Sequence, residues 1–180
     1  LKMKKLVLLL FIGASFMSQA QKVSTRSGFV KFFSDAPVED ITAENNQVSS
    51  ILNLEDGSFA FLVPIKAFQF EKALMQEHFN ENYMESGKFP SASFKGSIAD
   101  YTKIDLSKDA KYTLQFKGTM TVHGESQEIT KEVILVVKGG KVSVQAEFLL
   151  KCSDYGIEIP TAKKDNISNE ISVTVKFEYA

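Results

Sequence analysis

Three side chains in this sequence could take part in acid–base, nucleophilic or metal chemistry: His78, His123 and Cys152. Neither histidine has a Cys, Asp or Glu at a spacing that defines a metal site, and the motifs of serine hydrolases, zinc proteases and phosphate loops are missing. Cys152 has only Lys151 as a nearby cation and no base to activate it. We therefore predict a non-enzymatic protein with no catalytic residue, metal or cofactor. A lipid hydrolase or isomerase is the weakest alternative.

Each of these side chains also has a structural interpretation. On a helix Glu77 would point about 100° away from His78, so His78 is either a structural helix residue or a polar contact at a cavity mouth. His123 precedes a glycine and is predicted to lie in a turn. Cys152 is predicted to be a small buried thiol, and as the only cysteine it forms no intramolecular disulfide. Tyr155 either packs on the end of the fold or serves as a polar handle for a lipid head group.

Residues 1–20 are typical of a secretory signal peptide, with three lysines, an apolar run over 6–17 and a small-residue cleavage site at 18–20. A membrane anchor is the alternative, but the run is shorter than the roughly 20 residues of a spanning helix. We expect one mature domain, 21–180, in the periplasm or secreted, with no membrane span. Loss of the three lysines takes the formal charge from −1 to −4, which argues against a nucleic-acid partner.

Most of the mature sequence alternates between apolar and polar residues, which is the pattern of β-strands with one buried face. The segment 111–122 is the clearest case, and Gly139-Gly140 favours a type I′ hairpin turn. The segment 111–150 therefore predicts a three-strand meander, and 171–179 a closing strand. Further strands are predicted at Gly28–Phe33, Val38–Glu44, Gln47–Leu54, Ser58–Ile65 and Ala92–Ala99, with loops at 100–110 and 152–168. Eight or nine short strands indicate an all-β sandwich or barrel.

One helix interrupts the β pattern at 71–81, before Pro90 restores an extended chain. Its expected apolar stripe consists of Phe70, Leu74 and His78, with Met75 and Phe79 beside them. Such a helix in a barrel protein either plugs one end or forms a lid over an opening. The pattern does not distinguish a filled core from a lined tunnel.

The amino-acid sequences of three segments resemble those of the YceI-like family, whose members are secreted, lipocalin-like barrels that bind polyisoprenoid or other long apolar lipids. These segments are 71–94, 118–135 and 152–157; the elements shared with family members include His78-Phe79, Tyr83, Phe89-Pro90, Phe94, Gly118, Val122-His123-Gly124 and Asp154-Tyr155-Gly156-Ile157. The resemblance implies an all-β, eight-stranded antiparallel lipocalin-like barrel with one short covering α-helix and an apolar tunnel. Residues 22–46 lack the histidines that many members carry there. The resemblance therefore implies an apolar tunnel in this protein but does not identify the lipid that it binds.

Our leading hypothesis is binding, sequestration or carriage of a long apolar lipid, such as an isoprenoid or a fatty-acyl chain, inside the barrel. The alternative is an envelope structural or interaction protein with a filled core. A homodimer is left open. The residues predicted to line the cavity are Phe61, His78, Phe79, Leu114, Phe116, Met120, Val133, Leu135, Val144, Phe148 and Tyr155.

Overall fold

The computed structural model describes residues 22–179, so the predicted signal peptide lies outside the described residues. Nine strands form one sheet. They are β1 (Lys22–Ser34), β2 (Ile41–Asn53), β3 (Ser58–Pro64), β4 (Gln69–Phe70), β5 (Ser91–Ile98), β6 (Ala110–Val122), β7 (Glu125–Lys138), β8 (Lys141–Lys151) and β9 (Glu170–Tyr179). The helix α1 (Ala73–His78) continues into a π-helical turn, Phe79–Tyr83. Short 3₁₀ turns occupy Ile65–Ala67, Tyr101–Lys103, Cys152–Tyr155 and Thr161–Lys163.

Eight long strands close into an antiparallel barrel. Their order around it is β1-β9-β8-β7-β6-β5-β3-β2, and pairing of β1 with β2 completes the circle. The short β4 adds two residue pairs beside β2. The pairing of β7 with β8 covers only residues 134–138 and 141–145, so residues 125–133 and 146–151 are not paired with each other across this seam. The predicted eight-stranded barrel with one short helix is confirmed.

The predicted meander is also confirmed as β6, β7 and β8. Two tight turns connect these strands, and all four central residues have positive φ: 51° at His123, 79° at Gly124, 56° at Gly139 and 74° at Gly140. Positive φ at both central positions defines the type I′ turn, whose twist matches that of the flanking strands. His123 therefore lies in a turn, as predicted, although a non-glycine residue rarely adopts this conformation.

The prediction of two separate strands at Val38–Glu44 and Gln47–Leu54 is wrong, since a single strand, β2, runs unbroken from Ile41 to Asn53. Asn45 explains the error because its polar side chain, followed by Asn46, is typical of a turn. In the structure Asn45 is fully buried; its Nδ2 donates to the Pro64 carbonyl at 2.8 Å, and its Oδ1 accepts from the Gln47 amide at 2.8 Å. These bonds satisfy the buried amide inside a strand.

Opposite this part of β2, the register of β1 shifts on both sides of Gly28. A Cβ atom at Gly28 would lie 2.6 Å from the Phe177 ring and 2.9 Å from the Val48 carbonyl oxygen. Only glycine fits this close approach, which lets the Phe177 ring fill the barrel beneath β1.

The lumen is densely packed at the end where β6 begins and β9 finishes. Phe59 and Phe61 contact Phe94 and Phe177 with ring centroids 5.3–6.0 Å apart. Aliphatic side chains with at most 2% exposure complete this packing: Val48, Leu52, Val133, Leu135, Val137 and Val144. We call this part of the barrel the filled end and the opposite part, where β6 finishes and β9 begins, the hollow end.

Candidate ligand-binding cavity

The hollow end contains a cavity of about 270 Å³. Its wall is formed by inward-facing residues from the second halves of β1, β3, β6 and β8 and the first halves of β2, β5 and β9. These residues are mainly aliphatic or aromatic, and they include Val30, Phe32, Ile41, Val63, Ala92, Met120, Val122, Leu150, Ile171 and Val173. An apolar concavity with a few polar groups is the usual form of a small-molecule site.

Phe61, Phe148 and Val175 form the floor of the cavity. The Phe61 ring stacks on Phe94 at 5.5 Å, and the Phe148 ring meets Phe116 edge-on at 5.9 Å. Phe94 and Phe116 belong to the filled end and are each 1% exposed. The cavity is therefore blind, since it ends at this aromatic layer and does not continue through the barrel.

The helical segment 73–83 covers the cavity with Met75, His78, Phe79 and Tyr83, and we call it the lid. Four phenylalanine rings form a cluster beneath it. Phe79 contacts Phe32, Phe68 and Phe70 with ring centroids 5.0–5.6 Å apart, and Phe32 also contacts the other two rings. All four rings line the cavity. Aromatic pairs at these separations attract beyond simple burial of area, so the cluster holds the helical segment against the barrel.

The lid presents a different stripe from the one predicted. Met75, His78 and Phe79 line the cavity, whereas Leu74 faces outward and is 61% exposed. The α-helical part has only six residues before the wider π turn begins, which places the inward face on Met75 and Phe79. The prediction that Leu74 belongs to the apolar stripe is therefore wrong.

The predicted loop after β8 forms another side of the cavity. It contributes Ile157, Ile159 and Ile167 to the wall, although the sequence predicts only a loop over 152–168. Two hydrogen bonds fasten this loop to the barrel: the Val38 amide donates to the Asp165 carbonyl at 2.9 Å, and the Ser168 amide donates to Ser34 Oγ at 2.9 Å. The isolated isoleucines in this otherwise polar segment were the sequence feature that could have indicated its burial against the barrel.

A small group of polar side chains surrounds the opening; we call it the rim, and it consists of Glu39, His78, Lys163 and Asn166. Glu39 Oε1 accepts a hydrogen bond from Lys72 Nζ at 2.6 Å, and this contact raises the pKa of Lys72. Deeper in the wall, burial raises the pKa of the Cys152 thiol to about 11. The thiol is therefore neutral near pH 7 and is a poor nucleophile.

His123 lies outside the cavity and joins three segments. Its Nε2 is 2.8 Å from Glu85 Oε2, its Nδ1 is 3.2 Å from the Tyr155 carbonyl oxygen, and its ring packs edge-on against Phe89 at 4.6 Å. The pairing of His123 with Glu85 could not be predicted from the sequence, because 38 residues separate them. This arrangement fixes the segment that follows the lid.

The structure places five of the eleven predicted cavity residues on the wall: Phe61, His78, Phe79, Met120 and Phe148. The other six do not line it. Phe116, Val133, Leu135 and Val144 are buried in the core of the filled end, and the partly buried Leu114 packs against it. Tyr155 is also buried, and its carbonyl oxygen lies 3.2 Å from His123 Nδ1. Alternation identified the inward face of these strands and not the depth at which each side chain lies.

Two further features concern metal ions and membranes. Within residues 22–179, no three or more His, Cys, Asp and Glu side chains are grouped so that they could hold a metal ion. In the same part of the chain, no helix has both the length and the hydropathy needed to cross a membrane.

A closed antiparallel barrel with one hollow apolar end defines the class of small β-barrels that enclose a ligand-sized cavity. Within that class, the model of the YceI-like domain family matches residues 19–179. The chain therefore belongs to the YceI-like domain family, and the resemblance seen in the sequence is confirmed. No curated protein matches the sequence.

Solved structures share the fold at low sequence identity. A polyisoprenoid-binding domain from Saccharophagus degradans, implicated in plant cell wall breakdown, has 15% identity and a TM-score of 0.77, with 88% of this chain and 97% of that chain covered. BcnA from Burkholderia cenocepacia has 14% identity and a TM-score of 0.70, covering 85% and 96%. A YceI protein from Campylobacter jejuni has 17% identity and a TM-score of 0.59, covering 99% of each chain.

Proposed function

We propose that this protein binds a long apolar lipid, of polyisoprenoid or fatty-acyl type, in the cavity at the hollow end. It would act without catalysis, by sequestering or carrying the lipid in the periplasm or outside the cell. The observation that carries this proposal is the blind apolar cavity between the aromatic floor and the four-ring cluster under the lid. The polyisoprenoid-binding description of the Saccharophagus domain supports it at the level of the shared fold.

The energetics of such binding depend on how much chain is buried. Each methylene moved from water into the cavity contributes about 0.8 kcal/mol, so ten of them contribute on the order of 8 kcal/mol. Association costs roughly 4–15 kcal/mol. A volume of about 270 Å³ is slightly below the range of typical ligand sites, roughly 300–1,000 Å³. We therefore propose that one slender chain enters end-on and that its polar end stays at the rim.

The alternative of an envelope scaffold with a filled core has less support, because only one end of the lumen is filled. An enzymatic role also has little support. The Cys152 thiol is kept neutral by burial, and His123 is engaged by Glu85 and the Tyr155 carbonyl. Neither group is prepared for nucleophilic attack.

A titration with the apolar fluorescent probe N-phenyl-1-naphthylamine tests the proposal. Ala92 lines the cavity, and Ala92→Trp should fill it. Ala60, on the outward face of β3 between the buried Phe59 and Phe61, provides the matched control Ala60→Trp. We expect saturable binding at one site in the natural protein and in Ala60→Trp, and at least tenfold weaker binding in folded Ala92→Trp. Absence of saturable binding, or equal binding by both variants, would overturn the proposal.

A further inference from the structure

The charges at the rim are not balanced. Glu39 is its one carboxylate, and Lys72 Nζ already contacts Glu39 Oε1 at 2.6 Å from outside the cavity wall. Lys163 is its one lysine, and within residues 22–179 no carboxylate lies within ion-pair distance of it. Lys163 is therefore a lysine at the opening of an otherwise apolar cavity that has no ion-pair partner within residues 22–179.

The backbone holds Lys163 in place. Its amide donates to the Pro160 carbonyl at 2.8 Å, and its carbonyl accepts from the amides of Asn166 and Ile167, both at 2.9 Å. The same loop is fastened to the segment between β1 and β2, because the Val38 amide donates to the Asp165 carbonyl. Lys163 is therefore fixed at its base, while its exposed, flexible side chain reaches the cavity mouth.

Asn166 adds a second donor on the same turn. It is half-buried and lines the cavity, and its side-chain amide makes no hydrogen bond to any residue in 22–179. An ammonium group and an amide on one ordered turn can together bind an anionic oxygen, and hydrogen bonds to a charged partner are stronger than neutral ones. The neighbouring charges of Lys164 and Asp165 do not line the cavity.

We infer that the ligand is an acidic amphiphile, whose apolar chain fills the cavity and whose carboxylate or phosphate head group is bound at the rim by Lys163 and Asn166. This inference rests on the proposed function and adds the chemistry of the head group. A neutral alcohol or hydrocarbon would use the apolar wall alone. An acidic head would in addition replace the carboxylate that Lys163 lacks within the protein.

The test compares three competitors with the same chain: dodecanoic acid, dodecyl phosphate and dodecanol. Each competitor is titrated against the purified protein with bound N-phenyl-1-naphthylamine, and displacement of the probe is measured at low salt and below the micellar concentration of the competitor. We expect at least one of the acidic competitors to displace the probe at about tenfold lower concentration than the alcohol. A preference for only one of them identifies the head group as carboxylate or phosphate. Added salt should reduce the preference, because the rim is exposed.

Two lysine variants locate the effect. Lys163→Gln should abolish the preference for the acidic competitors and leave displacement by dodecanol unchanged, whereas Lys164→Gln, one residue away and outside the wall, should keep it. Equal displacement by all three competitors, or the same behaviour in both variants, would overturn the inference and leave lipid binding intact. Failure of every competitor to displace the bound probe would overturn the proposed function together with the inference.

Discussion

His123 Nε2 lies 2.8 Å from Glu85 Oε2 and thereby ties the segment that leaves the lid to the turn between β6 and β7. The other ring nitrogen faces the Tyr155 carbonyl, so one imidazole connects three separate parts of the chain. Glu85 itself has a φ of 43°, a conformation that needs such support. The lid is therefore anchored beyond its own helix.

Removal of this anchor should lower stability modestly. Glu85→Ala deletes the acceptor for His123, and we expect a loss of about 1 kcal/mol in the free energy of unfolding, since Glu85 is half exposed and the bond is partly screened. Urea unfolding measures it. The matched control is Glu81→Ala, which removes an exposed carboxylate from the same segment and should change the free energy by less than 0.5 kcal/mol. Equal effects of the two variants would show that the His123–Glu85 contact contributes nothing specific.

The aromatic cluster should link lid stability to ligand affinity. Phe79→Ala removes three ring contacts and part of the cavity wall, so we expect a loss of about 2 kcal/mol in unfolding free energy and at least tenfold weaker probe binding. Leu74→Ala, on the same helix but facing outward, should alter neither quantity appreciably. Thermal unfolding and probe titration of both variants provide the comparison. If Leu74→Ala weakens binding as much as Phe79→Ala, the assigned inward face of the lid is incorrect.

Cys152 should report whether the cavity is occupied. Its thiol is buried in the cavity wall, and burial raises its pKa to about 11. We therefore expect its reaction with Ellman's reagent at pH 8 to be at least tenfold slower in the native protein than in the unfolded chain, and slower still with a bound lipid. The absorbance of the released thiolate measures both rates. Unchanged reactivity on ligand addition would contradict the location of the ligand beside Cys152.

Alkaline pH should destabilise the filled end. Burial, assisted by the charge of Asp56, raises the pKa of Tyr101 from 10.0 to about 12, and burial also raises that of Tyr179. These hydroxyls lose their protons more readily in the unfolded chain, so their contribution to stability is complete below pH 10 and decreases as the pH rises through 12. Urea midpoints measured from pH 8 to 12 should therefore fall above pH 10. The urea midpoint of Tyr101→Phe should fall less steeply with pH. An identical fall in the variant and the natural protein would argue against ionisation of Tyr101 as the cause.

Much of the fold could be predicted because period-two alternation and turn chemistry act locally. The segment 110–151 was predicted almost to the residue, since each strand shows one face to solvent and glycine marks both hairpin turns. The unbroken course of β2 could not be predicted. It depends on the bond from Asn45 to the Pro64 carbonyl, which exists only once β3 is in place.

The site was harder to predict than the fold, because alternation gives the side of a strand and not its height in the barrel. Phe116 and Met120 share the inward face of β6, yet Phe116 packs in the filled end and Met120 lines the cavity. What separates them is packing from other strands, since the Phe94 ring meets the Phe116 ring edge-on at 4.8 Å. The loop isoleucines were missed for the same reason, since their burial depends on where the loop folds back.

Native mass spectrometry of the protein purified gently from its own host, with lipid identification after extraction, tests the central claim most directly. The account predicts one bound apolar chain per protein molecule, which is lost from a folded Ala92→Trp variant and retained in Ala60→Trp. Protein that is consistently empty, and that takes up no lipid when acids, phosphates and alcohols of matched chain length are added, would contradict it.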